Sequence, residues 1–100
     1  MLVYNVTLKV EKSIIQEWVE WMKGVHIPEV LSTGCFTGYK FLKLISEPED
    51  EGVTFAVQYF ASEVSLLNVY FDKYAGILRK SHEEAFKDKF VAFRTILQEV

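Results

Sequence analysis

Hydrophobic and polar residues alternate strictly over the first ten positions of the chain. Because the side chains of a β-strand point alternately to its two faces, this pattern predicts a strand over residues 2–10. Similar alternation predicts strands over residues 53–60 and 90–97, and a run rich in aromatic and aliphatic residues predicts a strand over residues 36–45. The acidic stretch 47–52 contains a proline and a glycine, which is typical of the loop of a hairpin.

Between the first two predicted strands, apolar residues recur at the three- and four-residue spacing of a helix. The pattern predicts a helix over residues 13–31 with a buried stripe that consists of Ile14, Trp18, Trp21, Met22 and Val25. Ser13 and Gln16 have the spacing of a capping box, which predicts side-chain hydrogen bonds at the start of the helix. Thr33 and Gly34 predict its end, because glycine adopts the left-handed conformation that commonly closes a helix.

Pro28 lies inside this predicted helix. It has no N–H for the carbonyl of Gly24, and its ring crowds that carbonyl, which costs roughly 3 kcal/mol in a straight helix. We therefore expect a kink or break between Gly24 and Ile27, with His26 at the bend.

A second apolar stripe follows the hairpin and predicts a second helix, with Ser62 as its N-cap and Gly76 as an interruption. The stripe consists of Leu67, Phe71, Tyr74, Leu78, His82 and Ala85. The resulting order βαββαβ predicts an α+β, ferredoxin-like fold with an antiparallel four-stranded sheet and both helices on one face. Residues 1–100 are expected to form a single domain of this kind.

The second face of such a sheet has no helix to cover it. If register follows alternation, this open face carries Val3, Asn5, Thr7, Thr54, Ala56, Gln58, Phe60, Ala92, Arg94 and Ile96. Half of the residues are hydrophobic and 15% are aromatic, which is more apolar surface than a small core absorbs. We therefore predict a homodimer formed through this face.

Charge and cysteine content narrow the classes of partner. The formal net charge is −3 and no basic run occurs, which disfavours nucleic acid as a partner. No apolar stretch approaches the length of a membrane span. Cys35 is the only cysteine, so an intramolecular disulfide is impossible, and we expect a cytoplasmic protein. With two histidines and one cysteine, neither a metal site nor a bound cofactor is predicted.

Four residues are candidates for a ligand site: Asn5, Gln58 and Arg94 on the open face, and His26 at the bend of the first helix. Arg94 is suited to bind a carboxylate or phosphate, although pairing with an acidic residue of a partner subunit is equally open. His26 is the candidate catalytic acid or base, and the alternative is that it hydrogen-bonds a carbonyl that Pro28 leaves free. His82 and the two tryptophans are interpreted as packing residues.

Three segments carry a resemblance: residues 3–7 (VYNVT), residues 18–31 with the WVEWM and HIPEVL motifs, and residues 88–95 (DKFVAFRT). In these the chain resembles a group of small bacterial proteins classed as a domain of unknown function. The order of elements and the His-Ile-Pro-Glu segment are also similar to the dimeric α+β barrel superfamily. That superfamily includes cofactor-free antibiotic-biosynthesis monooxygenases, muconolactone-isomerase-like enzymes and haem-degrading proteins.

The resemblance implies a dimer with a cavity, and no catalytic set of those enzymes matches this chain residue by residue. We expect a homodimeric α+β barrel that binds a small anionic or aromatic metabolite. One alternative is a structural or protein-interaction module without a ligand. Another is a cofactor-free monooxygenase or isomerase-like enzyme, and the sequence leaves open whether the protein is an enzyme at all.

Overall fold

The computed structural model describes residues 1–49 and 51–100. Its strands are β1 (Leu2–Val10), β2 (Gly38–Lys43), β3 (Val53–Ala61) and β4 (Phe90–Gln98), and they form one antiparallel sheet in the order β2-β3-β1-β4. The α-helices are α1 (Ile15–Trp21), α2 (Ile27–Ser32), α3 (Val64–Lys73) and α4 (Ala75–Ala85). The predicted ferredoxin-like α+β fold is therefore confirmed. Within the described residues, no helix is both long and apolar enough to cross a membrane.

The core lies between the helices and one face of the sheet. In β3 every second residue is buried, from Val53 to Ala61, as the alternation predicts. The largest side chains that are almost fully buried are Trp18, Tyr59, Leu8, Met22 and Ile27. Because burial of one large apolar side chain stabilises a fold by about 1.5–3 kcal/mol, this layer holds the first helix on the sheet.

Strand β4 faces the opposite way from the prediction. In the β1–β4 ladder, Arg94 lies opposite Val6, and Phe93 lies opposite Thr7. Residues directly opposite in a ladder point to the same face, so Arg94 points toward the helices with Ala92 and Ile96, and Phe93 points to the open face. The placement of Ala92, Arg94 and Ile96 on the open face was wrong. Apolar residues occupy both faces of β4, so the sequence of this strand does not identify which face packs against the helices.

A wide turn interrupts the first predicted helix at its centre and separates α1 from α2. Residues Met22–His26 form a π-helical segment, in which the N–H of Ile27 bonds to the carbonyl of Met22, five residues earlier. The flanking dihedral angles stay right-handed helical, with φ −61° and ψ −45° at Ile27. The discontinuity predicted between Gly24 and Ile27 takes the form of this wide turn, which accommodates Pro28. The extra residue turns His26 inward and leaves Val25 39% exposed, although Val25 was predicted to be buried.

The predicted helix ends have mixed outcomes. Gly34 has φ 77° and closes the first helix as expected. The predicted side-chain caps are wrong: a 3₁₀ turn (Lys12–Ile14) precedes α1, Glu63 is the N-cap of α3, and no side-chain capping bond forms at these starts. The second predicted helix is divided at Tyr74, with φ −122°, and Gly76 lies within the regular turns of α4.

Candidate functional site

A small cavity lies between the sheet and the helices. Its volume is about 20 Å³, which is room for about one water molecule. The residues that line it come from all layers of the fold and are Tyr4, Val6, Leu8, Met22, His26, Val57, Tyr59, Tyr70, Arg79, His82 and Arg94. The cavity is therefore rich in hydrogen-bonding groups for a site inside a core.

Two guanidinium groups meet at this cavity. Arg79 donates a hydrogen bond from Nη2 to the hydroxyl oxygen of Tyr4 at 3.2 Å. The Nε atoms of Arg79 and Arg94 and the hydroxyl of Tyr59 are buried, and within the described residues they have no hydrogen-bond partner. An unpaired buried polar group costs about 1–3 kcal/mol, so these three atoms mark a place for a water molecule or a ligand.

No acidic side chain of the described residues forms an ion pair with the arginines of the cavity. The ion pairs of residues 1–49 and 51–100 join Lys43 to Glu49, Lys80 to Glu84 and Lys89 to Glu11, and none includes Arg79 or Arg94. Arg79 and Arg94 are half-buried, and a partly desolvated cation gains from a counter-charge, so the arrangement favours an anion in the cavity.

His26 and His82 lie side by side at the cavity, with their ring centroids 4.9 Å apart. Trp21 stacks on His26 with centroids 5.3 Å apart, and Phe90 stacks on His82 at 4.1 Å. Within the described residues the side chain of His26 makes no hydrogen bond, so it does not cap a carbonyl freed by Pro28. The alternative structural role of His26 is thus not seen.

Trp18 determines the protonation of His82. Its indole Nε1 donates a hydrogen bond to Nε2 of His82 at 2.9 Å, and both residues are buried. An imidazole nitrogen that accepts a hydrogen bond carries no proton, so neutral His82 carries its proton on Nδ1. Burial, followed by the charges of His26 and Arg94, lowers the pKa of His82 to about 3.

His26, Tyr59 and Tyr70, which also line the cavity, are neutral at pH 7. Burial, with the charge of Arg94, lowers the pKa of His26 to about 4. Burial raises the pKa of both Tyr59 and Tyr70, and neighbouring tyrosines contribute in the same direction. The cavity therefore offers neutral imidazoles, phenolic donors and two fixed cations. The described residues contain no group of three or more His, Cys, Asp or Glu residues that could hold a metal ion.

The four predicted site residues lie in two places. His26 and Arg94 meet at the cavity, whereas Asn5 and Gln58 lie opposite each other on the open face of the sheet. Asn5 donates hydrogen bonds to the hydroxyls of Thr7 and Thr95, at 3.1 and 3.3 Å. The sequence interpretation placed Asn5, Gln58 and Arg94 together on the open face, and the register of β4 separates Arg94 from the other two.

Sequence interpretation did not identify Arg79 and Tyr4 as cavity residues, and it interpreted His82 as a packing residue. All three line the cavity. Arg79 precedes His82 by three residues and follows the buried Leu78, so helical spacing alone would place the two polar side chains on one face of α4. A polar pair within an apolar stripe is thus the pattern that could have identified the site.

Solved structures with little sequence identity share this fold. A putative antibiotic biosynthesis monooxygenase from Nitrosomonas europaea is 10% identical with a TM-score of 0.69, and the match covers 100% of this chain and 99% of that one. A monooxygenase from Streptomyces coelicolor in complex with nanaomycin D is 14% identical with a TM-score of 0.61, covering 99% and 88%. A dimeric ferredoxin-like protein from an uncultured marine organism is 13% identical with a TM-score of 0.57, covering 99% and 98%.

These likenesses show the fold alone. No curated protein matches the sequence. A family match, in contrast, extends over residues 1–100, the whole of the chain. The protein belongs to the family described as "Domain of unknown function (DUF4286)".

Proposed function

We propose that the protein binds the anionic group of a small metabolite in the cavity between the helices and the sheet. The observation that carries this proposal is the meeting of two guanidinium groups, each with an unpaired buried Nε, at one cavity that lacks a described carboxylate partner. Guanidinium groups present several N–H donors in a planar fork, which suits a carboxylate or a phenolate oxygen.

The neutral groups around the arginines complete a binding site of this kind. The hydroxyl of Tyr59 is unpaired and protonated, so it donates to an oxygen of the ligand. The Nδ1 proton of His82 provides a second neutral donor, because Trp18 occupies Nε2. Aromatic walls with a few polar groups in fixed positions are the usual composition of a small-molecule site. The nanaomycin complex of a protein with this fold supports a small-molecule ligand.

Proton abstraction is the second candidate function, and His26 is the observation that favours it. This imidazole is neutral at pH 7, has no hydrogen-bond partner within the described residues, and shares the cavity with Arg94. A neutral imidazole beside a fixed cation accepts a proton from a bound substrate while the cation stabilises the negative charge that forms. A cofactor-free monooxygenase or isomerase-like reaction would use such a base.

We also propose that a second copy of the chain covers the open face of the sheet. In β4, the residues that point to this face include Val91, Phe93 and Leu97, which are 68%, 65% and 46% exposed. Asn5 and Gln58 lie on the same face, so their role in this proposal is at the interface and not at the ligand. The dimeric ferredoxin-like protein with the same fold supports this assembly.

The anion proposal is tested with acetate, which carries a carboxylate on a single methyl group. NMR titration should show acetate-dependent shifts of the Nε–H resonances of Arg79 and Arg94 and of the His26 ring. Arg94→Met should abolish these shifts, and Lys73→Met, which removes an exposed cation of α3, should leave them unchanged. Absence of acetate-dependent shifts in the wild type, or equal shifts in the Arg94→Met variant, would disprove the proposal.

A further inference from the structure

Arg94 lines a second space besides the cavity. A groove of about 570 Å³ lies between α4 and β4, and its inner end is formed by the same arginine. Phe90, Ala92 and Arg94 alternate along β4 and form its floor, because their side chains all point toward the helices. The guanidinium of Arg94 therefore stands between the small cavity and the larger groove.

The two spaces differ in what they can hold. The cavity has a volume of about 20 Å³, which is enough for one oxygen-bearing group of a ligand and no more. Small-molecule sites commonly have volumes of about 300–1,000 Å³, and the groove, at about 570 Å³, is within this range. A metabolite whose charged group enters the cavity needs a larger space for the rest of its atoms, and the groove shares Arg94 with the cavity.

We propose that the ligand is an aromatic carboxylate with a single negative charge, whose carboxylate lies at Arg94 and whose apolar ring lies in the groove between α4 and β4. This inference rests on the anion site proposed above. The ring of Phe90 provides the floor and stacks on His82, with ring centroids 4.1 Å apart, so one aromatic surface continues from the groove to the cavity. Ala92 leaves room above the strand, since it is the smallest side chain of this floor.

The charges of the groove explain why one negative charge is preferred to two. Its rim carries Glu83, Glu84 and Asp88 together with Lys80 and Lys87. Lys80 lies 3.9 Å from Glu84, and within the described residues none of the three carboxylates pairs with Arg94. The rim thus has three acidic and two basic side chains, so a second carboxylate at the outer end of a ligand would meet a net negative charge.

A series of carboxylates of increasing size tests this inference in the full-length protein. The dissociation constants of acetate, benzoate and 2-naphthoate are measured by NMR titration. We expect affinity to rise at least about tenfold from acetate to 2-naphthoate, because the added rings bury apolar surface in the groove. We also expect 2,6-naphthalenedicarboxylate to bind more weakly than 2-naphthoate.

A larger side chain on the floor of the groove should block the aromatic ring of the ligand, and the same substitution outside the groove is the matched control. Ala92→Leu should remove the gain of 2-naphthoate over acetate. Ala85→Leu makes the same change at an exposed position at the end of α4 and should preserve the gain. If Ala92→Leu does not fold, nuclear Overhauser contacts between naphthoate protons and Phe90 and Ala92 of the wild type decide the question.

The outcomes separate the two proposals. If acetate binds at Arg94 but 2-naphthoate binds no more tightly, or makes no contact with Phe90 and Ala92, the groove inference is wrong and the anion site stands. If the Ala92→Leu variant binds 2-naphthoate as tightly as the wild type, the groove inference is also wrong. If no carboxylate of the series binds, the anion site itself is disproved.

Discussion

The indole N–H of Trp18 in α1 donates a hydrogen bond to Nε2 of His82 in α4, across 2.9 Å and 64 positions of sequence. The bond joins α1 to α4 inside the core, since both residues are buried. It also fixes the tautomer of a histidine that lines the candidate site. Packing of the core and the chemistry of the cavity therefore depend on the same contact.

We expect Trp18→Phe to destabilise the fold and to raise the pKa of His82. The phenylalanine ring fills most of the space but has no N–H, so the acceptor Nε2 of His82 is left unpaired, at a cost of about 1–3 kcal/mol. Loss of a hydrogen bond to the neutral form also makes protonation easier. Chemical denaturation measures the free energy of unfolding, and the ¹⁵N shifts of His82 measure its pKa.

Trp21→Phe is the control for this change. Trp21 stacks on both His26 and His82, and within the described residues it donates no hydrogen bond to either ring. The Trp21→Phe substitution should leave the Nδ1–H tautomer of His82 unchanged. If the His82 resonances titrate identically in the wild type and in Trp18→Phe, the indole does not control this histidine.

We expect the protein to lose stability on mild acidification. The pKa values of His26 and His82 fall from 6.5 to about 4 and about 3 in the folded state. Below pH 6.5 the unfolded chain binds protons that the folded chain excludes, so the free energy of unfolding falls as the pH decreases toward the folded pKa values. Each histidine contributes a slope approaching about 1.4 kcal/mol per pH unit. Urea unfolding at pH 7.5, 6.5, 5.5 and 4.5 measures this slope.

A double variant isolates the contribution of the two histidines. Replacement of both His26 and His82 by glutamine keeps hydrogen-bonding side chains and removes the titrating rings. The slope between pH 6.5 and 5.5 should then be much smaller than in the wild type. An equally steep slope in the double variant would show that other groups cause the acid sensitivity.

We expect Phe93→Lys to produce a monomer. Phe93 is 65% exposed and points to the open face of the sheet, so a charge there would be buried in the proposed interface between two copies. Ile77→Lys is the matched control, because Ile77 is 73% exposed on α4, on the helical side of the sheet. Light scattering should give a dimer for the wild type and for Ile77→Lys. A monomeric wild type at micromolar concentration would contradict the proposed assembly.

We expect Pro28→Ala to keep the π-helical segment and to change stability by no more than about 1 kcal/mol. Buried residues on both sides of the segment, Trp18 and Val30 among them, fix the number of residues that must fit between them. Deletion of Gly24, which is exposed and has open space around it, should instead convert the segment to a regular α-helix. Crystal structures of both variants check these two expectations. A regular α-helix over residues 22–26 in the Pro28→Ala variant would contradict the first of them.

Local patterns in the sequence were sufficient to predict most of the elements. The alternation of β1 and β3 identified both strands and their buried faces, because one face of each is consistently more apolar. The same reasoning failed for β4, where Phe93 and Ile96 are both large and apolar but point to opposite faces. Its register depends on pairing with β1, which the sequence of β4 alone does not contain.

The candidate site was only partly predictable for the same reason. His26 was identified through its position before Pro28, and Arg94 through its charge in an apolar strand. Their meeting depends on the β4 register and on one additional residue in a helical turn, and neither feature has a simple pattern of residue types. His82 resembled a packing residue because it does pack: its ring stacks on Phe90 while it lines the cavity.

Phe93 and Arg94 are adjacent in β4 and point to opposite faces of the sheet. The candidate site therefore depends on the number of residues in the turn before β4. This turn contains Asp88, whose φ of 61° is in the left-handed region, and the N–H of Lys89 bonds back to the carbonyl of Phe86. A single insertion here that moved β4 by one position would exchange the two residues, placing an aromatic ring among the histidines and a guanidinium in the proposed interface between two copies. Natural variation in the length of this turn should therefore be far rarer than in the acidic hairpin loop, where neither the cavity nor the interface depends on the residue count.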